Sequence, residues 1–210
     1  MRFHEYRPDA NHFAGICVAD GHDVGIADIH YHDSLLAAEW MSPVFTGFDD
    51  NPEQIGDFPS LSNFNIVPVF SQRAWNCLRP VIGDACEALP IICPFEGKYF
   101  IIHVLETIDC LVEDRSEVVR SEVDGRIDRV FKYCFDVQKL HGKHIFKLPL
   151  SSGRELVIDD VFRTVVEDNG LKGLLFKELA CCPGPRSLHI RTEGQESYLD
   201  ERESGNGAAG

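Results

Sequence analysis

No CxxC pair, no apolar signal core and no bilayer-length hydrophobic run occurs in this chain, and positive charge is scarce, with 20 Lys and Arg against 34 Asp and Glu. The first absence removes the closely paired ligands of a zinc ribbon or a dithiol redox motif. Eight cysteines scattered through apolar segments then read as reduced, mostly buried small hydrophobes rather than a disulfide framework. Residues 1–9 carry no signal core, and no run approaches the ~20 apolar residues that span a bilayer, so the expected location is the cytoplasm, with no membrane association. Charge adds a further exclusion. The segment 193–210 holds five acids against Arg202, so −10 of the formal −14 belongs to the rest of the chain. That field repels phosphate backbones and disfavours direct nucleic-acid binding, while it attracts a basic protein partner.

Chemistry-bearing motifs are missing as well. The glycines form neither GxxxxGK[ST] nor GxGxxG, which excludes the usual phosphate cradles, and there is no GxSxG nucleophile elbow. No internal repeat occurs, and no cofactor is expected. His30 and His32 lie two apart in a segment that reads as a strand, next to Asp28 and Asp33, which would put both imidazoles on one face as half of a metal site. A metal-dependent hydrolase built on this pair is the competing reading, and a regulatory module for a small ligand is another. His141 and His144 flank a Gly-Lys turn and read as surface residues. The vicinal Cys181 and Cys182 could bind a soft metal or report redox state; two thiols at the end of a last apolar strand is the simpler reading.

What is present is the composition of a globular domain, 44% hydrophobic and 26% charged with 14 Phe, in a length suited to one core. Residues 1–65 form an irregular, strand-rich N-terminal part, with strands predicted near 2–6, 13–18 and 24–31 and a short helix near 34–40. The Gly-, Asp-, Asn- and Pro-rich stretch 46–62 reads as a surface loop whose Asp49, Asp50, Glu53 and Asp57 make a local acidic cluster and a candidate partner contact. Residues 66–185 read as an α+β core. Ser71 caps a helix with Trp75, Leu78 and Ile82 on one face, and Pro80 should end its regular part near Leu78. Residues 98–105 suit a strand covered on both faces. Asp124-Gly125 marks a hairpin whose second strand turns Ile127, Phe131, Tyr133 and Phe135 inward. Residues 144–148 alternate with Phe146 and Leu148 inward, and Pro149 should terminate that strand. Asp159 or Asp160 caps a second helix that Asn169-Gly170 stops, and 174–179 returns as a strand. A mobile acidic tail, 186–210, follows. The sum is a single α+β domain with a mixed or antiparallel sheet and a few packed helices.

Several short pieces in this order carry a resemblance: Ser71-Gln72-Arg73-Ala74 with Leu78, Ala88-Leu89-Pro90, Ile108-Asp109-Cys110-Leu111, Gly125-Arg126-Ile127, Tyr133-Cys134-Phe135-Asp136, Ile145-Phe146-Lys147-Leu148-Pro149, Val157-Ile158-Asp159-Asp160-Val161-Phe162 and Gly170-Leu171-Lys172-Gly173. Together they resemble the immunity-protein family of bacterial polymorphic toxin systems, first noted around a myxobacterial protein. The resemblance implies a cytoplasmic protein, without catalytic residues, that binds and neutralises a cognate toxin domain. Many such toxins present basic clefts, which an acidic inhibitor can occupy by charge complementarity with fast association.

Overall fold

The computed structural model describes residues 1–19, 25–48, 52–62, 67–150 and 153–179. In chain order its elements are β1 (Phe3–Pro8), β2 (Ile16–Val18), the one-turn helix α1 (Ile26–Ile29), β3 (Phe45–Gly47), β4 (Val69–Ser71), α2 (Gln72–Ile82) and β5 (Cys86–Ile91). Then come β6 (Tyr99–Val104), a single 3-10 turn (Glu113–Arg115), β7 (Glu117–Arg120), β8 (Ile127–Lys132), β9 (Ile145–Leu150), β10 (Gly153–Asp159), α3 (Asp160–Asp168) and β11 (Leu174–Glu178). The strands form small antiparallel sheets, ordered β11-β1-β10-β9, β4-β6-β5, β2-β3 and β7-β8. This is an α+β domain, as the sequence predicts.

Period-2 alternation decides which core each strand serves. In β10, Leu156 and Ile158 enter a central cluster while Val157 faces a second one, and in β9 Ile145 faces the centre while Phe146, Leu148 and Leu150 face outward to that second cluster. The three-stranded sheet does the same in β6, where Ile102 and Val104 join the centre and Tyr99 and Ile101 join a third cluster. The two main sheets therefore share one core, which Ala74, Leu78 and Ile82 of α2 and Phe162 and Val166 of α3 complete. Each sheet has its far face covered too, one by the β7-β8 ribbon and the segment behind it, the other by Ile16, Ile26, Ile29 and Phe45. Fully burying an aliphatic or aromatic side chain contributes about 1.5–3 kcal/mol, so these three clusters dominate the stability.

Both helix starts follow the sequence. Ser71 Oγ accepts from the Ala74 amide at 3.0 Å, and Asp159 Oδ1 accepts from the Val161 and Phe162 amides, each at 3.0 Å. Gly170, at φ +57, makes the left-handed stop after α3, a conformation in which any side chain would be strained. At the start of α3, burial alone would raise the Asp160 carboxyl, but the His4 ring, the Arg2 amide and the Arg2 guanidinium together hold it below its ordinary value.

Five local expectations are corrected. The helix α2 runs on to Ile82 instead of ending near Leu78, because Pro80 and Asn76, the residue whose carbonyl loses its partner, are both exposed and water can take over the bond. Pro149 does not stop β9. The Lys147 amide and carbonyl point away from β10, to Glu106 and Ile108, so Pro149, two residues on, turns its missing N–H to that same outer edge. Phe131 is 62% exposed and Val130 is buried in its place, since the β7-β8 register shifts between Glu117 and Val118 and inserts Phe131 as an extra residue. Where a strand is expected at 24–31 the chain makes α1, burying Ile26 and Ile29 three apart. Where a helix is expected at 34–40 it makes turns, because the Leu36 and Ala37 amides bond the Glu87 carboxylate instead of their own chain.

Candidate partner-binding surface

Of the four acids that the sequence offers as a contact, Asp49 and Asp50 lie outside the described residues, Glu53 is exposed, and Asp57 is buried. Asp57 is 8% exposed. Its Oδ1 accepts from Ser71 Oγ at 2.7 Å, and its Oδ2 accepts from Arg73 Nη1 and the Lys172 amide, each at 3.0 Å. A carboxylate with three donors inside the protein has little left for a partner, so Asp57 is corrected from contact to joint: it ties its loop to the cap of α2 and to the turn before β11. The approach is close there, since a Cβ on Gly56 would sit 2.9 Å from the Lys172 carbonyl.

The His30 and His32 pair does not share a face. These residues follow α1 in a turn, not a strand, with His30 buried and His32 exposed, so the geometric premise of the metal site fails. Among the described residues no group of three His, Cys, Asp or Glu side chains is placed to hold a metal ion. His141 is exposed, as expected of a surface residue, whereas His144 bonds Asp159 Oδ2 at 2.9 Å. Cys181 and Cys182 lie outside the described residues. Six cysteines fall within them, and none forms a disulfide. Burial pushes the Cys86 thiol up, and it pushes the Cys110 thiol up to about 12, which keeps both protonated and weakly nucleophilic.

The backbone carbonyls around those histidines hold more than their rings suggest. Lys147, on β9 and only 1% exposed, donates through Nζ to the carbonyls of His30 (3.3 Å) and His32 (2.9 Å) and to Asp33 Oδ1 (2.8 Å). Thr107 Oγ1 donates to the same Asp33 oxygen at 2.9 Å. From β6, the buried His103 ring meets the His32 carbonyl through Nε2 and Glu87 Oε1 through Nδ1, both at 2.9 Å. Glu87 in turn receives the Leu36 and Ala37 amides, and Trp40 Nε1 donates to the Pro90 carbonyl at 2.8 Å. Side chains of three strands thus pin one irregular segment at five points along its backbone and side chains. Sequence reasoning missed this clamp. The only signal was a lysine in the middle of an otherwise apolar strand, which alternation reads as solvent-facing.

Pinned this way, residues 31–41 turn Leu36 and Trp40 inward against the third cluster and present Tyr31, Leu35 and Met41 to solvent, the last two 71% and 75% exposed. The β7-β8 ribbon presents another exposed apolar set, Val119, Val123 and Phe131. Charge separates the two. The ribbon pairs its acids internally, Glu113 with Arg120, Glu117 with Lys132 and Asp124 with Arg126. Between Arg7 and Arg73, by contrast, the chain has ten acids and no Lys or Arg at all.

Fold and surface together define an α+β protein of small antiparallel sheets, with exposed apolar segments among its described residues. Residues 93–180 match the model of the immunity protein family Imm11, so this part of the chain is similar to immunity proteins. The match takes in β6 through β11 with α3, and it leaves out the pieces around Ser71 and Ala88 that the sequence resemblance also used. No curated protein matches the chain. No helix of the described residues is long and apolar enough to cross a membrane.

Proposed function

We propose that this protein is a cytoplasmic immunity protein that binds the toxic domain of a cognate bacterial toxin and neutralises it without catalysis. The observation that carries the reading is the family match over residues 93–180. Net charge supports the partner's character. A formal charge of −14 favours a basic toxin, gives fast, salt-sensitive encounter, and makes direct binding to nucleic acid unfavourable. Glu53, exposed on its loop, is one contact in this scheme; Asp49 and Asp50 are two more, and Asp57 supports the loop from beneath.

Co-expression with the toxin domain encoded beside this gene tests the proposal. Neutralisation predicts restored growth and a stoichiometric complex on co-purification, with an association rate that falls as salt rises. Cells that still die although both proteins accumulate, or substrate turnover by the purified chain alone, would overturn it.

A further inference from the structure

We infer that residues 31–41 are the surface on which the toxin docks, and that they are built to enter a basic, apolar-lined cleft; the inference rests on the immunity reading and names its contact face. Three observations converge on this segment. It is pre-organised: Lys147, His103 and Glu87, from three different strands, hold its backbone in one irregular conformation, so little ordering entropy remains to be lost on binding. Loops held by a rigid scaffold are where binding residues concentrate.

Its outward side chains are of the kind that anchor interfaces. Tyr31, Leu35 and Met41 are all exposed although Leu36 and Trp40 beside them are drawn into the core, so the chain has inward positions here and does not use them for these three. Aromatic residues and Met are enriched at the centre of protein interfaces, where desolvation makes a few side chains dominate affinity. The charge around them selects the occupant. Glu39 is exposed within the segment, which has no lysine or arginine of its own, and the cation that pairs with Asp33, Lys147, is buried beneath it. A partner that covers this face without repulsion carries basic residues around an apolar centre. The β7-β8 ribbon lacks that selectivity, because its exposed Val123 and Phe131 sit among ion pairs of both signs.

The test measures binding of the purified full chain to the toxin domain encoded beside its gene. Tyr31→Ala, Leu35→Ala and Met41→Ala combined should weaken binding by about 100-fold or more, as loss of several interface anchors does, and Glu39→Lys should slow association. Val123→Ala with Phe131→Ala should change affinity by less than about 3-fold, as at the near-neutral positions of an interface. All six positions are exposed, so unaltered thermal unfolding is expected, and amides of residues 31–41 in the wild-type chain should gain hydrogen-exchange protection in the complex. Loss of binding with the ribbon variant but not the loop variant overturns the inference and leaves the immunity reading standing. Sedimentation showing a dimer of this chain that the loop variant dissolves also overturns it, by making a second copy the occupant. If the wild-type chain does not bind that toxin domain, the functional reading and the docking face fall together.

Discussion

The described parts of residues 1–62 and residues 67–179 share the same apolar cores but differ in what fixes their backbone. The second region is built of backbone ladders and apolar cores, with β10 paired along its whole length and two capped helices packed on the sheets. Among the described residues of the first region only β1 belongs to a large sheet; β2 and β3 are three residues each, and residues 30–37 are fixed by side chains reaching in from the other region. Charge divides them the same way. Most of the excess acid, −9 of the formal −14, lies before residue 58, whereas the part that matches the immunity family is close to balanced, with its ribbon cross-paired. A scaffold and the segment proposed here to recognise a partner can thus be carried by one chain without being the same stretch of it, and that segment is the one whose conformation its own sequence specifies least.

The comparison can be broken at its strongest point first. Phe162, fully buried where α3 meets the central core, should on Phe162→Ala cost about 3–5 kcal/mol of global stability, measured by urea unfolding. A cost below about 1 kcal/mol would mean that the central core does not carry the fold. Next is the joint between regions. Asp57→Ala strands Ser71 Oγ, the Lys172 amide and one Arg73 nitrogen, and a loss of about 1.5–3 kcal/mol is expected; an unchanged midpoint would show that Asp57 is not a joint.

Lys147→Met sharpens the contrast. It keeps the volume and removes the donor to the His30 and His32 carbonyls and to Asp33 Oδ1, so a local loss of about 1–2 kcal/mol is expected. By hydrogen exchange the Leu36 and Ala37 amides should open faster while those of β10 keep their protection. Equal acceleration in both would show one cooperative unit where two mechanisms are argued.

The smallest effect belongs to Glu155. Burial raises its carboxyl above the ordinary value and Glu5 adds to that, against the Tyr133 hydroxyl, which donates to both oxygens at 2.6 and 2.8 Å. A folded-state pKa above the unfolded one gives a contribution that is complete below the unfolded value, about 4.3, and is lost as pH rises through the raised value. Glu155→Gln should therefore be slightly more stable than wild type at pH 8, by less than about 1 kcal/mol, with the gap closing towards pH 4. A gap that widens on acidification would reverse the sign and refute the assignment.

Local chemistry accounts for what was legible without coordinates. Ser71, Asp159 and Asn169-Gly170 mark helix ends because capping uses neighbours within three residues, and the apolar run in residues 98–105 and the alternation in residues 144–148 mark strands because residue type and side-chain period are properties of the strand itself. The same reasoning failed at Phe131, where a one-residue register shift reverses facing, and at Pro80 and Pro149, where exposure and edge position decide whether a lost N–H matters. The candidate surface was legible only in part. Acid-rich composition pointed to the N-terminal part, but neither the burial of Asp57 nor the exposure of Leu35 and Met41 has a local signature.

The amino-acid sequence by itself determined the fold class, the helix caps, the charge excess and the absence of familiar catalytic motifs, because each follows from residue type and short-range spacing. Tertiary structure alone decided that Lys147, His103 and Glu87 converge on residues 30–37, since those contacts join positions 50 to 117 apart in the chain and no local rule encodes distance in space.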